Sequence, residues 1–142
     1  MKVYFSGAMT RYRELLPMYQ SLAHIIENLG HTITSRHVID PKTTQGDWIS
    51  HYDPNELWMR ETNRLKNSDV LISEVTTPAF GVAFMMEEAI KLNKPQLSLY
   101  YALPFQKNLP LMLRGKPKIN FQIYTEDNVK FIIKRFFSKI GQ

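Results

Sequence analysis

Three short segments carry the residues whose types suit chemistry. The first is Ser6-Gly7-Ala8-Met9-Thr10, the second is His37 with the long stretch after it, and the third is Glu74-Val75-Thr76-Thr77-Pro78-Ala79-Phe80-Gly81. Gly7 and Gly81 permit a close backbone approach to a ligand, and a helix beginning near Gly81 offers free N–H groups to an anion. Neither segment is a P-loop or a GxGxxG, so these residues alone fit tight strand-to-helix turns as well as a nucleotide site. His37 falls at a strand end, where ligand contact and packing are equally open. His24, beside Ile25 in a helical stretch, reads as a packed or surface histidine. Asp40, Asp47, His51 and Asp53 are scattered over a loop without ligand spacing, so no metal is expected. Trp48 and Tyr52 in the same loop suit stacking on a base or cover for the core.

These segments gain meaning from the elements around them. Residues 2–6 form a β-rich run that ends at Gly7. Leu15, Leu16, Tyr19, Leu22, Ile25 and Ile26 recur at helical spacing over residues 12–28, with Pro17 early and Gly30 as the C-cap. His31 to Arg36 reads as a second strand, and residues 38–53 as a long loop of the kind that often carries function. Asp53-Pro54 is an N-cap followed by an N1 proline, opening a helix to about Asn67. A third strand runs from Val70 to about Val75, a helix from Gly81 to Leu92, and a fourth strand from Pro95 to Tyr100. After a Pro-rich loop, Ile119 to Tyr124 is a fifth strand and Asp127 to Lys139 a closing helix. Alternating strands and helices predict a three-layer α/β domain, flavodoxin- or Rossmann-like, whose mainly parallel sheet has the order 2-1-3-4-5. In such sheets ligands bind beyond the carboxyl ends of the strands, which is where the three segments meet.

A chain of 142 residues, 44% hydrophobic and 22% charged, suits one globular domain with a real core. Without cysteine it forms no disulfide or thiolate metal site. No run approaches the roughly 20 apolar residues of a membrane span, and Met1-Lys2-Val3-Tyr4-Phe5 reads as a strand rather than a signal peptide, so a cytoplasmic location is expected. The net charge of +5 is local: from Lys107 onward eight basic side chains face only Glu126 and Asp127. That pattern reads as a solvated face of the last helix, and nucleic acid is not the expected partner.

The run Ser68-Asp69-Val70-Leu71-Ile72-Ser73-Glu74-Val75-Thr76-Thr77-Pro78-Ala79-Phe80-Gly81-Val82 resembles the most distinctive segment of the 2'-deoxynucleoside 5'-monophosphate N-glycosidases. These belong to the nucleoside 2-deoxyribosyltransferase superfamily. Val3-Tyr4-Phe5-Ser6-Gly7, Asn93-Lys94, Leu111-Met112-Leu113-Arg114-Gly115 and Phe121-Gln122-Ile123-Tyr124 match in order and spacing, so the resemblance runs nearly end to end. It implies cleavage of an N-glycosidic bond through an oxocarbenium-like transition state, with a glutamate nucleophile attacking the anomeric carbon and no cofactor. It also implies a nucleoside or nucleotide ligand and a homodimer that covers the apolar face around Phe84, Met85 and Met86.

By this resemblance the nucleophile falls on Met85, four residues after Gly81, and methionine has no nucleophilic oxygen. Glu87 lies about 200° from Met85 around a helix, whereas Glu88 at i+3 shares its face one turn on. The auxiliary acid falls on Glu61, and Tyr4, His37, Gly81 and Arg114 match substrate-contacting positions. The phosphate-holding positions fall on Ala8, Thr10, Ala79 and Pro110, three of them without a polar side chain. Two expectations follow: an N-glycosidase or deoxyribosyltransferase using Glu61 and Glu88 as its carboxylates, or a catalytically inactive relative that binds a nucleotide-like ligand.

Overall fold

The computed structural model describes residues 1–9, 13–43, 52–102 and 109–141. Thr10, Asp47, Trp48 and His51 lie outside the described residues.

Five parallel strands form one sheet in the order β2-β1-β3-β4-β5. They are β1 (Lys2–Ser6), β2 (Thr32–Ile33), β3 (Val70–Glu74), β4 (Gln96–Tyr101) and β5 (Asn120–Tyr124). The helices between them are α1 (Leu16–Asn28), α2 (Pro54–Lys66), α3 (Phe80–Lys91), the short α4 (Leu111–Gly115) and α5 (Val129–Ile140), with a 3₁₀ turn at Arg36–Val38. Every residue of β3 is buried, as a central parallel strand covered on both faces requires.

Strand alternation sends Val3, Phe5 and Ile72 to one side, where they pack with Tyr19, Leu22 and Ile26 of α1 and Ile133 of α5. Tyr4 and Leu71 point the other way, into a second core with Leu65 of α2 and Met85, Met86 and Ala89 of α3. The Asp53 side chain accepts from the N–H groups of Asn55 and Glu56 at 3.0 and 3.3 Å, with Pro54 directly after it. This cap fixes where α2 begins.

Two elements differ from the sequence expectation. The second strand has only two residues because Ser35 replaces the ladder with its side chain. Its hydroxyl accepts from Phe5 N–H at 2.8 Å and donates to Phe5 C=O at 2.6 Å. The chain is thereby freed to turn at once into Arg36–Val38, which brings His37 over the sheet edge. The other difference is α4, which forms inside the stretch read as a Pro-rich loop.

Gly30 follows α1 at φ +85°, where glycine carries no steric cost. Gly7 is small for a different reason. A Cβ there would lie 2.7 Å from the ring of Tyr19, which is only 1% exposed and has no room to swing away. Gly7→Ala is expected to cost about 1–3 kcal/mol by overpacking. A urea midpoint equal to that of the native chain would show that the β1 turn has slack that these distances deny.

Candidate active site

Beyond the carboxyl ends of β1 and β3 lies a cavity of about 610 Å³. Tyr4, Ser6, Gly7 and Met9 come from β1 and its following turn, His37 and Val38 from the 3₁₀ turn, and Leu57, Trp58 and Glu61 from α2. Pro78 and Ala79 lead into α3, which adds Phe80, Gly81, Val82, Phe84 and Met85. Trp58 and Phe84 meet edge to face at the wall, their centroids 6.3 Å apart. Such a mostly apolar cleft with a few convergent polar groups is the usual form of a small-molecule site.

Among the described lining residues Glu61 is the single carboxylate. It is 6% exposed and surrounded by donors. The Tyr4 hydroxyl donates to Oε2 at 2.6 Å, and His37 Nε2 lies 3.2 Å from the same oxygen. Arg60 Nε and Arg64 Nη1 donate to Oε1 at 3.0 and 2.9 Å. Helix geometry explains Arg64, which is one turn beyond Glu61 and shares its face. Burial by itself pushes the Glu61 carboxyl up. The His37 ring, the Tyr4 hydroxyl and the Arg64 guanidinium more than offset this and hold it down to about 2. Glu61 is therefore an anion at any ordinary pH.

The partners are fixed in turn. Arg64 Nη1 lies 3.0 Å from His37 Nδ1, and a guanidinium can only donate, so Nδ1 accepts and the proton of the neutral ring sits on Nε2, facing Glu61. Burial first, and then the charge of Glu61, push the Tyr4 hydroxyl far above its ordinary value, making it a donor rather than a base. Arg60 also lies over the Tyr52 ring, 4.1 Å from its centroid, which ties the end of the long loop to the Glu61 network.

The comparisons with known proteins span most of the chain. No family model matches it. A 5-hydroxymethyl-dUMP N-hydrolase from Danio rerio is 30% identical over 144 residues, covering 99% of this chain and 98% of that protein. A protein of Methanococcoides burtonii that bears the name 2'-deoxynucleoside 5'-phosphate N-hydrolase 1 is 31% identical over 115 residues, covering 81% of this chain and 90% of that one. The chain belongs to the 2'-deoxynucleoside 5'-phosphate N-hydrolase family.

The fold of this N-hydrolase family member recurs in solved structures. A CMP N-glycosidase from Clostridium botulinum superposes with a TM-score of 0.63 at 14% identity, covering 96% of this chain and 99% of that one. A 2-deoxyribosyltransferase from Bacillus psychrosaccharolyticus superposes with a TM-score of 0.59 at 15% identity, covering 92% and 90%. At that identity the likeness is one of fold.

The structure brings together Tyr4, Gly7, His37, Glu61, Ala79, Gly81 and Met85 around one cavity. Met85, where the resemblance puts the nucleophile, forms part of its wall and is 6% exposed. Ala8 is buried without lining the cavity, and Arg114 is exposed on α4. Glu88 is also absent from the lining: its carboxylate pairs with Lys91 at 2.6 Å on the outer side of α3. Thr10 lies outside the described residues. Sequence reasoning missed Arg60 and Arg64; the i,i+3 spacing from Glu61 was a signal for Arg64, while adjacent Arg60 gave none. No helix of the described residues is long and apolar enough to cross a membrane, and no metal-binding cluster is found among them.

Proposed function

We propose that the chain binds a nucleoside or nucleotide in this cavity and breaks its N-glycosidic bond, with Glu61 as the carboxylate facing the anomeric carbon. The observation that carries this is a buried Glu61 carboxylate, held by Tyr4, His37, Arg60 and Arg64, that opens onto a cavity of ligand size. As the bond between C1' and the base nitrogen breaks, its electron pair leaves with the base and positive charge builds on the sugar. A fixed anion stabilises that charge or bonds to C1', and water then releases the sugar. A carboxyl held at about 2 is a poor general acid. The leaving base therefore takes its proton from a group other than Glu61. Family membership supports the reaction class. The Danio rerio relative is named for 5-hydroxymethyl-dUMP, which supports a nucleotide among the ligands.

A second reading rests on Met85. With a thioether at the nucleophile position and Glu61 engaged by two arginines, the cavity suits a relative that binds its ligand without turnover. Base release from ribo- and deoxyribonucleosides and their 5'-monophosphates, followed by chromatography, separates the two. Native turnover that survives Glu88→Gln but not Glu61→Gln supports the first reading. Silence from the native chain, with release appearing only in Met85→Glu, establishes the second.

The reading includes a homodimer. Phe80 is 85% and Phe84 56% exposed, stacked with centroids 6.5 Å apart, an apolar patch that a second copy would cover. A monomer in sedimentation at tens of micromolar would remove this part of the proposal.

A further inference from the structure

Glu74, the last residue of β3, is fully buried yet does not line the cavity. Three hydrogen bonds reach it from two residues. The Thr76 hydroxyl donates to Oε1, the Thr76 N–H donates to Oε2 at 3.3 Å, and the Tyr124 hydroxyl donates to Oε1 at 3.2 Å from β5. Thr76 is engaged a second time, since its hydroxyl oxygen accepts the Tyr101 N–H at 2.8 Å at the end of β4. One carboxyl group and one hydroxyl thus knit the carboxyl ends of β3, β4 and β5.

Two residues beyond Thr76 the chain reaches Pro78 and Ala79. These form part of the wall of the main cavity and of a neighbouring one of about 380 Å³. On the other side, Tyr19 of α1 feels the charge of Glu74 and is joined to the backbone of Ala8. The Tyr19 ring also fills the space against Gly7. Glu74 therefore sits beneath both turns that shape the site.

We propose that Glu74 is a positioning residue: through Thr76 it sets the turn carrying Pro78 and Ala79, and its ionisation loosens that turn. The titratable groups facing it are the hydroxyls of Tyr19 and Tyr124, with Tyr101 next to Tyr124. No ion pair among the described residues includes Glu74. An anion there is desolvated without a cation, a state that hydrogen bonds compensate only in part. Burial accordingly pushes the carboxyl up to about 7, against the three hydrogen bonds that hold it down. Any opening that exposes Glu74 releases a proton between its solvent value and its buried one, so the opening becomes easier as pH rises through that window.

The consequence for ligands rests on the function proposed above, but the test of Glu74 does not. Amide hydrogen exchange is followed from pH 4.5 to 8 in the native chain, Glu74→Gln and Thr76→Val, after correction for intrinsic rates. In the native chain, protection of the 76–81 amides and of Tyr101 is expected to fall by up to about tenfold per pH unit between 4.5 and 7, then level off. In Glu74→Gln the slope disappears, and in Thr76→Val the same amides are weakly protected at every pH. A native slope that persists in Glu74→Gln, or one shared equally by the amides of α2, would overturn the proposal. Equilibrium binding of thymidine and thymidine 5'-monophosphate over the same pH range reports on the site. Affinity that weakens several-fold toward pH 8 in the native chain and stays flat in Glu74→Gln supports the positioning role. Absence of any binding by native chain and variants would count against the proposed function, while the exchange slopes still decide the role of Glu74.

Discussion

Glu61→Gln is expected to lower base release from a nucleoside or nucleotide by a factor on the order of 10² to 10⁴, leaving the cavity in place. The substitution keeps the shape and one acceptor oxygen for Tyr4 but removes the charge that faces the developing cation. It also leaves Arg60 and Arg64 without their anion. Both keep partial exposure, 27% and 35% of their side chains, so water takes up much of the loss, and the stability cost should be about 1–2 kcal/mol rather than that of a sealed pair. That cost has a definite pH dependence. The native carboxyl is held from 4.5 down to about 2, so its contribution is complete above 4.5 and is lost as pH falls through 2. Steady-state base release and urea unfolding at pH 7, run on the same preparations, separate the two effects. Turnover within about threefold of native in a folded Glu61→Gln protein would mean that the carboxylate does not face the reacting bond.

The fold was legible because its signals are local and repeated. The apolar run at Val70–Ile72, the Asp53-Pro54 cap and the helical spacing from Leu15 to Ile26 each fix one element, and handed crossovers then leave few ways to assemble them. What failed was what a single side chain decides. Ser35 ends the second strand by hydrogen bonding Phe5 on both sides, and nothing in the spacing of His31 to Arg36 announces that. The meeting of Tyr4, His37 and Glu61 follows from topology together with the resemblance. The two arginines around Glu61 required knowing which face of α2 turns inward. Glu74 is the extreme case. In the sequence it is one polar residue at the end of an apolar strand, while in the structure it is an acid sealed among tyrosines, and only the packing of α1 and β5 reveals it.

That sealing makes stability itself a probe. Glu74→Gln is expected to flatten the loss of stability that the native chain shows on going from acid to neutral pH. The group rises from 4.5 unfolded to about 7 folded, so its contribution is fully present below 4.5 and is lost as pH climbs through 7. The full effect is about 3 kcal/mol at one pKa unit per 1.36 kcal/mol. Glutamine binds no proton in either state and contributes no slope. At pH 5 it should be equal to or less stable than the native side chain, because its amide N–H groups face donors rather than acceptors. At pH 8 it should be the more stable of the two. His31 works in the opposite sense, since burial and then the N-terminal ammonium hold its ring below the usual value, so the native curve alone mixes two slopes. The difference between native and Glu74→Gln in urea unfolding from pH 4.5 to 8.5 removes His31, which both share. A difference that stays constant across that range would mean that Glu74 is already ionised when folded at acid pH. The hydrogen bonds from Thr76 and Tyr124 would then outweigh the burial of its charge.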